Sequence, residues 1–397
     1  MTAVAIAFWA SVGLVFYTHI GYPLALWVLV HLRGRTAGGA VGGPTPEEAL
    51  ATAGGGGSPT APPAAGAPFV SLIVAAYDEE DVIAAKVANA LALDYPRERL
   101  ELIVVSDGSG DATVERARAA EADLVLDLPR AGKLAAQNAA TERASGEILA
   151  FSDANSLWSA DALHLLVEPF SDPSVGYACG QVRFLSPEGD NLEGAYWRYE
   201  MAVRKMESAL AGVTAGNGAI YAVRADAYIS LPTAASHDLS FPFELAKRKL
   251  RSLYVPAAQA EEKMTPTLEG EFARKRRMMV GLWDIVVGEG MLRPRGYSPL
   301  YAFELLSHRL LRYLTPFLHL LAFVTNLLLL GQGPVYVATY AVQVAFVFAA
   351  LLGGSWPLAP LRVARYYAMT TASIAAGLWD RWRRGAPGTW EKAEGTR

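Results

Sequence analysis

At 397 residues the chain has room for two or three domains, which excludes a small single-module binding protein. Apolar residues make up 52% of it and charged residues only 19%, too greasy for an ordinary soluble enzyme and pointing to a membrane protein. A net charge of −4 argues against a nucleic-acid binder, and the single cysteine, Cys179, excludes an internal disulfide or a Cys-ligated metal, so it reads as a small buried residue.

From Met1 to Leu32 there is no Asp, Glu, Lys or Arg, and the apolar run Val4 to Val30 exceeds the ~20 residues needed to cross a bilayer. Residues 1–33 are therefore predicted to span the membrane. The run is too long for a signal peptide and has no basic start. Arg33 and Arg35 follow it, which places the N-terminus outside and the next segment in the cytoplasm. Residues 34–67, mostly Gly, Ala, Pro, Thr and Ser, read as a disordered linker.

Residues 68–298 read as a cytosolic domain in which strand and helix patterns alternate. Phe69 to Ala75 is a strand and Glu80 to Leu93 a helix; Leu100 to Val105 pairs with Thr113 to Glu121, Leu124 to Leu128 with Leu134 to Ala144, and Ile148 to Phe151 with Ala160 to Phe170. Four such units imply an α/β fold with a doubly wound, mostly parallel sheet, and the alternation becomes irregular after Asp172. Ligands of such sheets bind beyond the carboxyl ends of the strands. Those ends carry Tyr77-Asp78-Glu79, Asp107-Gly108-Ser109 and Asp153-Ala154-Asn155.

Residues 299–380 read as a C-terminal membrane region, with spans at about 310–330 and 335–352 around a Gly331-Gln332-Gly333-Pro334 turn, and a shorter helix at 366–378 lying along the interface. Arg309 and Arg312 before the hairpin, and Arg362 and Arg365 after it, put both outer ends in the cytoplasm. Residues 381–397 form a cytosolic tail, and Trp379, Trp382 and Trp390 fit interfacial anchoring. His19 and His319 are assigned no function.

Gly132-Lys133 lacks the spacing of a P-loop, and no Gly-x-Ser-x-Gly elbow is present. Asp107 to Asp111 mimics a calcium loop whose twelfth position is Arg118 where Glu is needed, and Asp111 reads as a cap for the following helix. Asp107 and Asp153 would repel each other unless they meet a divalent cation or sugar hydroxyls. Asp153 and Asn155 offer the oxygen ligands that suit Mg²⁺ or Mn²⁺ carrying a diphosphate.

The segments Val74 to Glu80, Val105 to Ser109, Gly132-Lys133 with Asn138, and Ser152 to Asn155 occur in an order that resembles the membrane-bound bacterial members of the inverting family 2 glycosyltransferases, whose nucleotide-sugar domain has the GT-A fold. The resemblance covers roughly Pro68 to Gly281 and the membrane flanks. It implies that Tyr77 and Glu79 line a nucleoside pocket, Asp107 contacts base or ribose, Lys133 approaches the donor, and Asp153 reaches the diphosphate-bound metal. It also implies that Asp238 is the general base, with His237 where the family often has an acid, and that Gly216-Asn217-Gly218 forms an acceptor-side loop. The Gln-x-x-Arg-Trp element of processive synthases has no match; Arg274 and Arg277 stand there instead, either pairing with the leaving diphosphate or forming a basic face near lipid headgroups. The implied enzyme transfers a sugar from a nucleotide-sugar donor to a lipid-linked or saccharide acceptor from the inner (cytoplasmic) membrane, and binds no nucleic acid. The alternative is a catalytically inactive nucleotide-binding membrane scaffold.

Overall fold

The computed structural model describes residues 1–37, 66–185, 192–232, 235–263, 268–356 and 358–385. The linker expected at 34–67 falls almost wholly outside them; of the tail expected at 381–397, residues 381–384 end a helix and those from 386 lie outside the described residues.

Eight strands form one sheet: β1 (Val70–Ala76), β2 (Leu100–Asp107), β3 (Leu124–Leu128), β4 (Ile148–Asp153), β5 (Leu157–Trp158), β6 (Val175–Leu185), β7 (Ile220–Arg224) and β8 (Arg251–Lys263), in the order β3-β2-β1-β4-β7-β6-β8-β5. The first four are parallel, as the alternating pattern requires. β7 then runs antiparallel to both β4 and β6, so the irregular second half extends the sheet as a mixed one. Every residue of β1 is buried, the pattern of a strand covered on both faces. Leu72, Val74 and Leu102 pack on one side under the helices Ile83–Leu91 and Ala162–Val167. Ile73, Ile103 and Phe151 pack on the other, under Lys133–Thr141 and His237–Lys247. Each such apolar side chain, fully buried, contributes about 1.5–3 kcal/mol, and register follows from alternate residues choosing opposite faces. Cys179 lies in this core, where burial pushes its thiol up to about 11.

Among the described residues three helices are long and apolar enough to cross a membrane: Thr2–Arg33, Pro299–Gln332 and Pro334–Leu352. The second starts 11 residues earlier than the hydropathy alone suggested, because Pro299 to Leu310 is helical but partly polar. The turn at Gly333 has φ 141°, a conformation that favours glycine. The expected interfacial helix is longer than its apolar stretch, running from Ala359 to Arg384. It packs along the helix Leu268–Trp283, where a side chain at Gly377 would collide with Met279, and ion pairs Arg276–Asp380 and Arg381–Asp284 bind the two together. Tyr367 on this helix hydrogen-bonds His19 Nε2 at 3.0 Å and His319 Nε2 at 2.9 Å, so the two histidines meet through one phenol.

The domain joins the membrane helices through a buried polar knot. Glu207, on the helix Leu192–Leu210, accepts from Tyr22 Oη at 2.6 Å and pairs with His308 Nδ1 at 2.7 Å, while Arg309 Nε donates to Thr214 Oγ1 at 2.9 Å. Arg312 pairs with Glu200. The arginines expected at the cytoplasmic end of the hairpin are thus partnered by the domain.

Candidate active site

Parallel pairing aligns the carboxyl ends of β1, β2 and β4: Ala75 lies opposite Asp153 and Ala76 opposite Ser106. The loop after β1 is clasped to the loop after β2. Asp78, at φ 49°, accepts from Gly110 N at 2.8 Å and donates its own N–H to Ser109 Oγ at 3.0 Å, and Glu79 N donates to Thr113 Oγ1 at 2.7 Å. Tyr77 lies under the Arg130 guanidinium, 3.1 Å from the ring centroid, within cation–π range. Gly108 is at φ +71°, and any Cβ there would approach Arg130 N at 2.7 Å, so the sharp turn requires glycine. Asp111 accepts from Thr113 N at 3.0 Å and from Glu80 N at 3.2 Å, but the N-cap of the following helix is Ala112, so Asp111 clasps the two loops where the sequence suggested a helix cap.

Asp107 is buried, and its carboxylate accepts from Ala131 N at 2.7 Å and Gly132 N at 2.9 Å. It thereby fixes the residues just before Lys133, which opens its helix and pairs with half-exposed Asp153. Three strand ends are linked in a line, from Asp107 through Gly132 and Lys133 to Asp153. Burial of the lysine–carboxylate pair is incomplete, which leaves room for a ligand to exchange with either partner.

Asp238 lies in the first turn of His237–Lys247, half-buried, and its carbonyl accepts from Gly216 N at 2.6 Å. Gly216 has no room for a side chain, since a Cβ would meet Tyr177 Oη at 1.9 Å. Asn217 Oδ1 accepts from Ala219 N at 3.2 Å, and at Gly218 a Cβ would find open space. Burial, the neighbouring Tyr228 and Tyr177 phenols, and then the carboxylates of Asp153 and Asp238 raise the Tyr221 phenol well above its ordinary value.

Arg277 is exposed on Leu268–Trp283, and among the described residues it makes no hydrogen bond or ion pair with the strand-end groups. Arg274 lies on the same helix, its side chain outside the described residues. Among the described residues no group of three His, Cys, Asp or Glu side chains could by itself hold a metal ion. The turn after β4 still suits a hard cation: Asp153 already attracts an ammonium group, and Asn155, half-exposed two residues on, adds a neutral oxygen. Mg²⁺ or Mn²⁺ held by one or two protein oxygens takes its remaining ligands from phosphate and water.

Sequence reasoning missed Lys86. It is fully buried below this turn, donates from Nζ to Ser156 O at 2.6 Å, and lies 5.1 Å from the Trp158 ring centroid. Burial lowers its pKa to about 7, against the pull of Asp153 and Glu262. Its signal was its place beside Ile83, Val87 and Ala90 on the buried stripe of its helix.

Residues 71–228 match the sequence model of glycosyl transferase family 2. The chain is 31% identical over 134 residues to glycosyltransferase AglE of Haloferax volcanii, covering 44% of that protein. It is 30% identical over 250 residues to a beta-monoglucosyldiacylglycerol synthase of Trichormus variabilis, covering 52% of it, and 24% identical over 232 residues to a poly-beta-1,6-N-acetyl-D-glucosamine synthase of Staphylococcus aureus, covering 55%. These matches take in 32%, 56% and 55% of this chain, which spans about half the length of the curated relatives it matches. In fold it is similar to the mannosyltransferase PcManGT from Pyrobaculum calidifontis, solved with GDP-Man and Mn²⁺, with a TM-score of 0.68, 23% identity, and coverage of 96% of this chain and 98% of that one.

Proposed function

We propose, from the match of residues 71–228 to glycosyl transferase family 2, that the chain is a membrane-embedded inverting transferase. It moves a sugar from a nucleotide diphosphate to a hydroxyl of a lipid-linked or saccharide acceptor, with the domain facing the cytosol. The observation that carries this reading is the pairing of Lys133 with Asp153, together with half-buried Asp238 on a helix that packs on the same face of the sheet as the helix Lys133 opens.

Tyr77 and Glu79 hold the nucleoside, and Asp107 acts beside them by setting the loop that leads into Lys133. Lys133, freed from Asp153 as the donor binds, turns its ammonium to the diphosphate. Asp153 and Asn155 would hold Mg²⁺ or Mn²⁺, which when bound offsets the charge on the departing diphosphate. Arg274 and Arg277 add countercharge if the helix Leu268–Trp283 closes over the donor. Gly216, Asn217 and Gly218 border the acceptor, and Asp238 takes the proton from its hydroxyl at Oδ as that oxygen attacks. One displacement inverts the anomeric centre.

The likeness to a diacylglycerol-linked and a polysaccharide synthase supports an acceptor for cell-surface glycolipid or polysaccharide. The polar knot from Glu207 to Thr214 supports the same reading, since it ties the acceptor-side loop to the membrane helices. The three candidate spans and their flanking arginines support an inner-membrane location. The test is a panel of UDP- and GDP-hexoses and UDP-N-acetylhexosamines with the full chain in lipid, reading released nucleotide and transferred sugar. Asp238→Asn should lower turnover about 10²–10⁴-fold and leave donor affinity unchanged. Failure of every donor, or undiminished turnover in the variant, would overturn the reading.

A further inference from the structure

His237, which precedes Asp238, is buried in a polar chain that the reaction does not itself use. Its Nδ1 lies 2.5 Å from Tyr221 Oη and its Nε2 lies 3.5 Å from Tyr228 Oη. Tyr221 Oη is reached by Gln137 Nε2 at 3.4 Å, and Tyr228 Oη donates to Asn138 Oδ1 at 2.7 Å. Asn138 Nδ2 donates in turn to Leu231 O at 3.0 Å. One proton arrangement satisfies the whole chain. Gln137 donates to Tyr221, Tyr221 to Nδ1, Nε2–H to Tyr228, and Tyr228 to Asn138. A neutral imidazole fits that arrangement, and burial, with Lys133 nearby, lowers the His237 pKa well below its ordinary value.

The placement of these residues has a pattern. Gln137 and Asn138 lie one turn along the helix that Lys133 opens. Phe151, stacked on Tyr221 at 4.8 Å between centroids, lies two residues before Asp153. Tyr221 follows the 216–218 loop, and His237 adjoins Asp238. The elements that bring Lys133, Asp153, the 216–218 loop and Asp238 thus each send a side chain into this network.

We infer that His237 is a positioning residue, held by Tyr221 and Tyr228, that fixes Asp238 relative to the Lys133–Asp153 pair. It touches neither substrate nor the reacting atoms. An imidazole clamped on both ring nitrogens cannot rotate, so the helix start that carries Asp238 is locked to the helix that carries Lys133. A satisfied buried network of this kind specifies one geometry, whereas a partly satisfied one admits several. Misplacing a reacting group by about 1 Å is enough to lower a rate about 100-fold.

The inference rests on the proposed role of Asp238, and the test separates the two. Tyr221→Phe, His237→Phe, His237→Asn and Asp238→Asn are assayed in the full chain in lipid, with the panel's UDP- and GDP-sugars as probes. Tyr221→Phe keeps the ring and removes only the hydroxyl, so it remains informative if His237→Phe fails to fold. The expected result is a fall of about tenfold in kcat for Tyr221→Phe and His237→Phe with donor KM within about twofold. His237→Asn, whose oxygen can accept from Tyr221 where Nδ1 does, should recover turnover to within about threefold of wild type. The acid limb of the pH–rate profile should be unchanged in the Tyr221 and His237 variants, because His237 does not carry the reacting proton. If Asp238→Asn abolishes turnover while Tyr221→Phe matches wild type, or if His237→Asn is no better than His237→Phe, the network is packing alone and the inference falls. If Asp238→Asn turns over normally, the base assignment falls and takes the inference with it.

Discussion

Replacing Gly216 with Ala measures how firmly the acceptor-side loop holds Asp238. The new methyl group would lie 1.9 Å from Tyr177 Oη and 2.7 Å from its Cζ, against ordinary contact beyond 3.4 Å. Tyr177 cannot yield, being fully buried and stacked with Tyr221 and Phe241 at centroid distances of 5.7 and 6.2 Å. The loop must therefore retreat by more than about 1 Å, a displacement of the size that lowers a rate about 100-fold. It takes with it the amide that holds the Asp238 carbonyl at 2.6 Å. Overpacking of this kind destabilises by about 1–3 kcal/mol, equivalent to a few degrees in thermal midpoint for a domain of this size. The assay is single-turnover transfer with wild-type and variant protein in lipid, alongside donor affinity by calorimetry. Turnover should fall about 100-fold with donor affinity held. Adding Tyr177→Phe should restore part of it, since Cζ still crowds the site after the hydroxyl has gone. Wild-type turnover in Gly216→Ala would refute the link between this loop and Asp238.

Lys86 provides a pH signature. Its folded pKa of about 7 is below the ordinary 10.5, so between those values the unfolded chain binds more protons, and the domain's stability rises as pH rises through that window. The full shift corresponds to about 4–5 kcal/mol. Thermal midpoints at pH 7, 8.5 and 10 should climb in wild type and flatten in Lys86→Met, and parallel curves would count against the burial account. Asp153→Ala should abolish the dependence of donor binding on Mg²⁺ or Mn²⁺ in calorimetry, while Asp111→Ala, which frees the Glu80 and Thr113 amides, should cost about 1–3 kcal/mol of stability and leave that dependence in place; equal donor binding by wild type with and without the ion would remove Asp153 from a metal role. Single cysteines at Thr2, Gln332 and Glu98 in a Cys179→Ala background should be labelled from outside intact cells at the first two positions only. Labelling at Glu98 would invert the domain.

The first half of the sheet was readable because each strand is a continuous apolar run and each helix has a single apolar stripe. β3 was placed at Leu124–Leu128 from the sequence, and the other three parallel strands within a residue or two at either end. β6, β7 and β8 were not, since their pairing depends on long-range register that no local pattern carries. Asp153 and Lys133 were both singled out as donor-side residues, but their mutual pairing belongs to three dimensions. Asp107 was singled out by its place at a strand end, but the loop amides its carboxylate accepts from, 24 and 25 residues away in sequence, carry no local signal. His19 and His319 looked idle because their shared partner, Tyr367, lies on a helix whose full length hydropathy understated.

That shared phenol also imposes an order of assembly. His19 is made well before its partner, since Tyr367 follows it by 348 positions. At roughly 5–20 residues per second, synthesis takes about 20–70 s to supply it. During that interval the first helix has no phenol to close on, and the whole α/β domain is produced before the contact is complete. A chain halted after the hairpin would leave two imidazoles without their bridge inside the bilayer, an unfinished state that quality control could recognise.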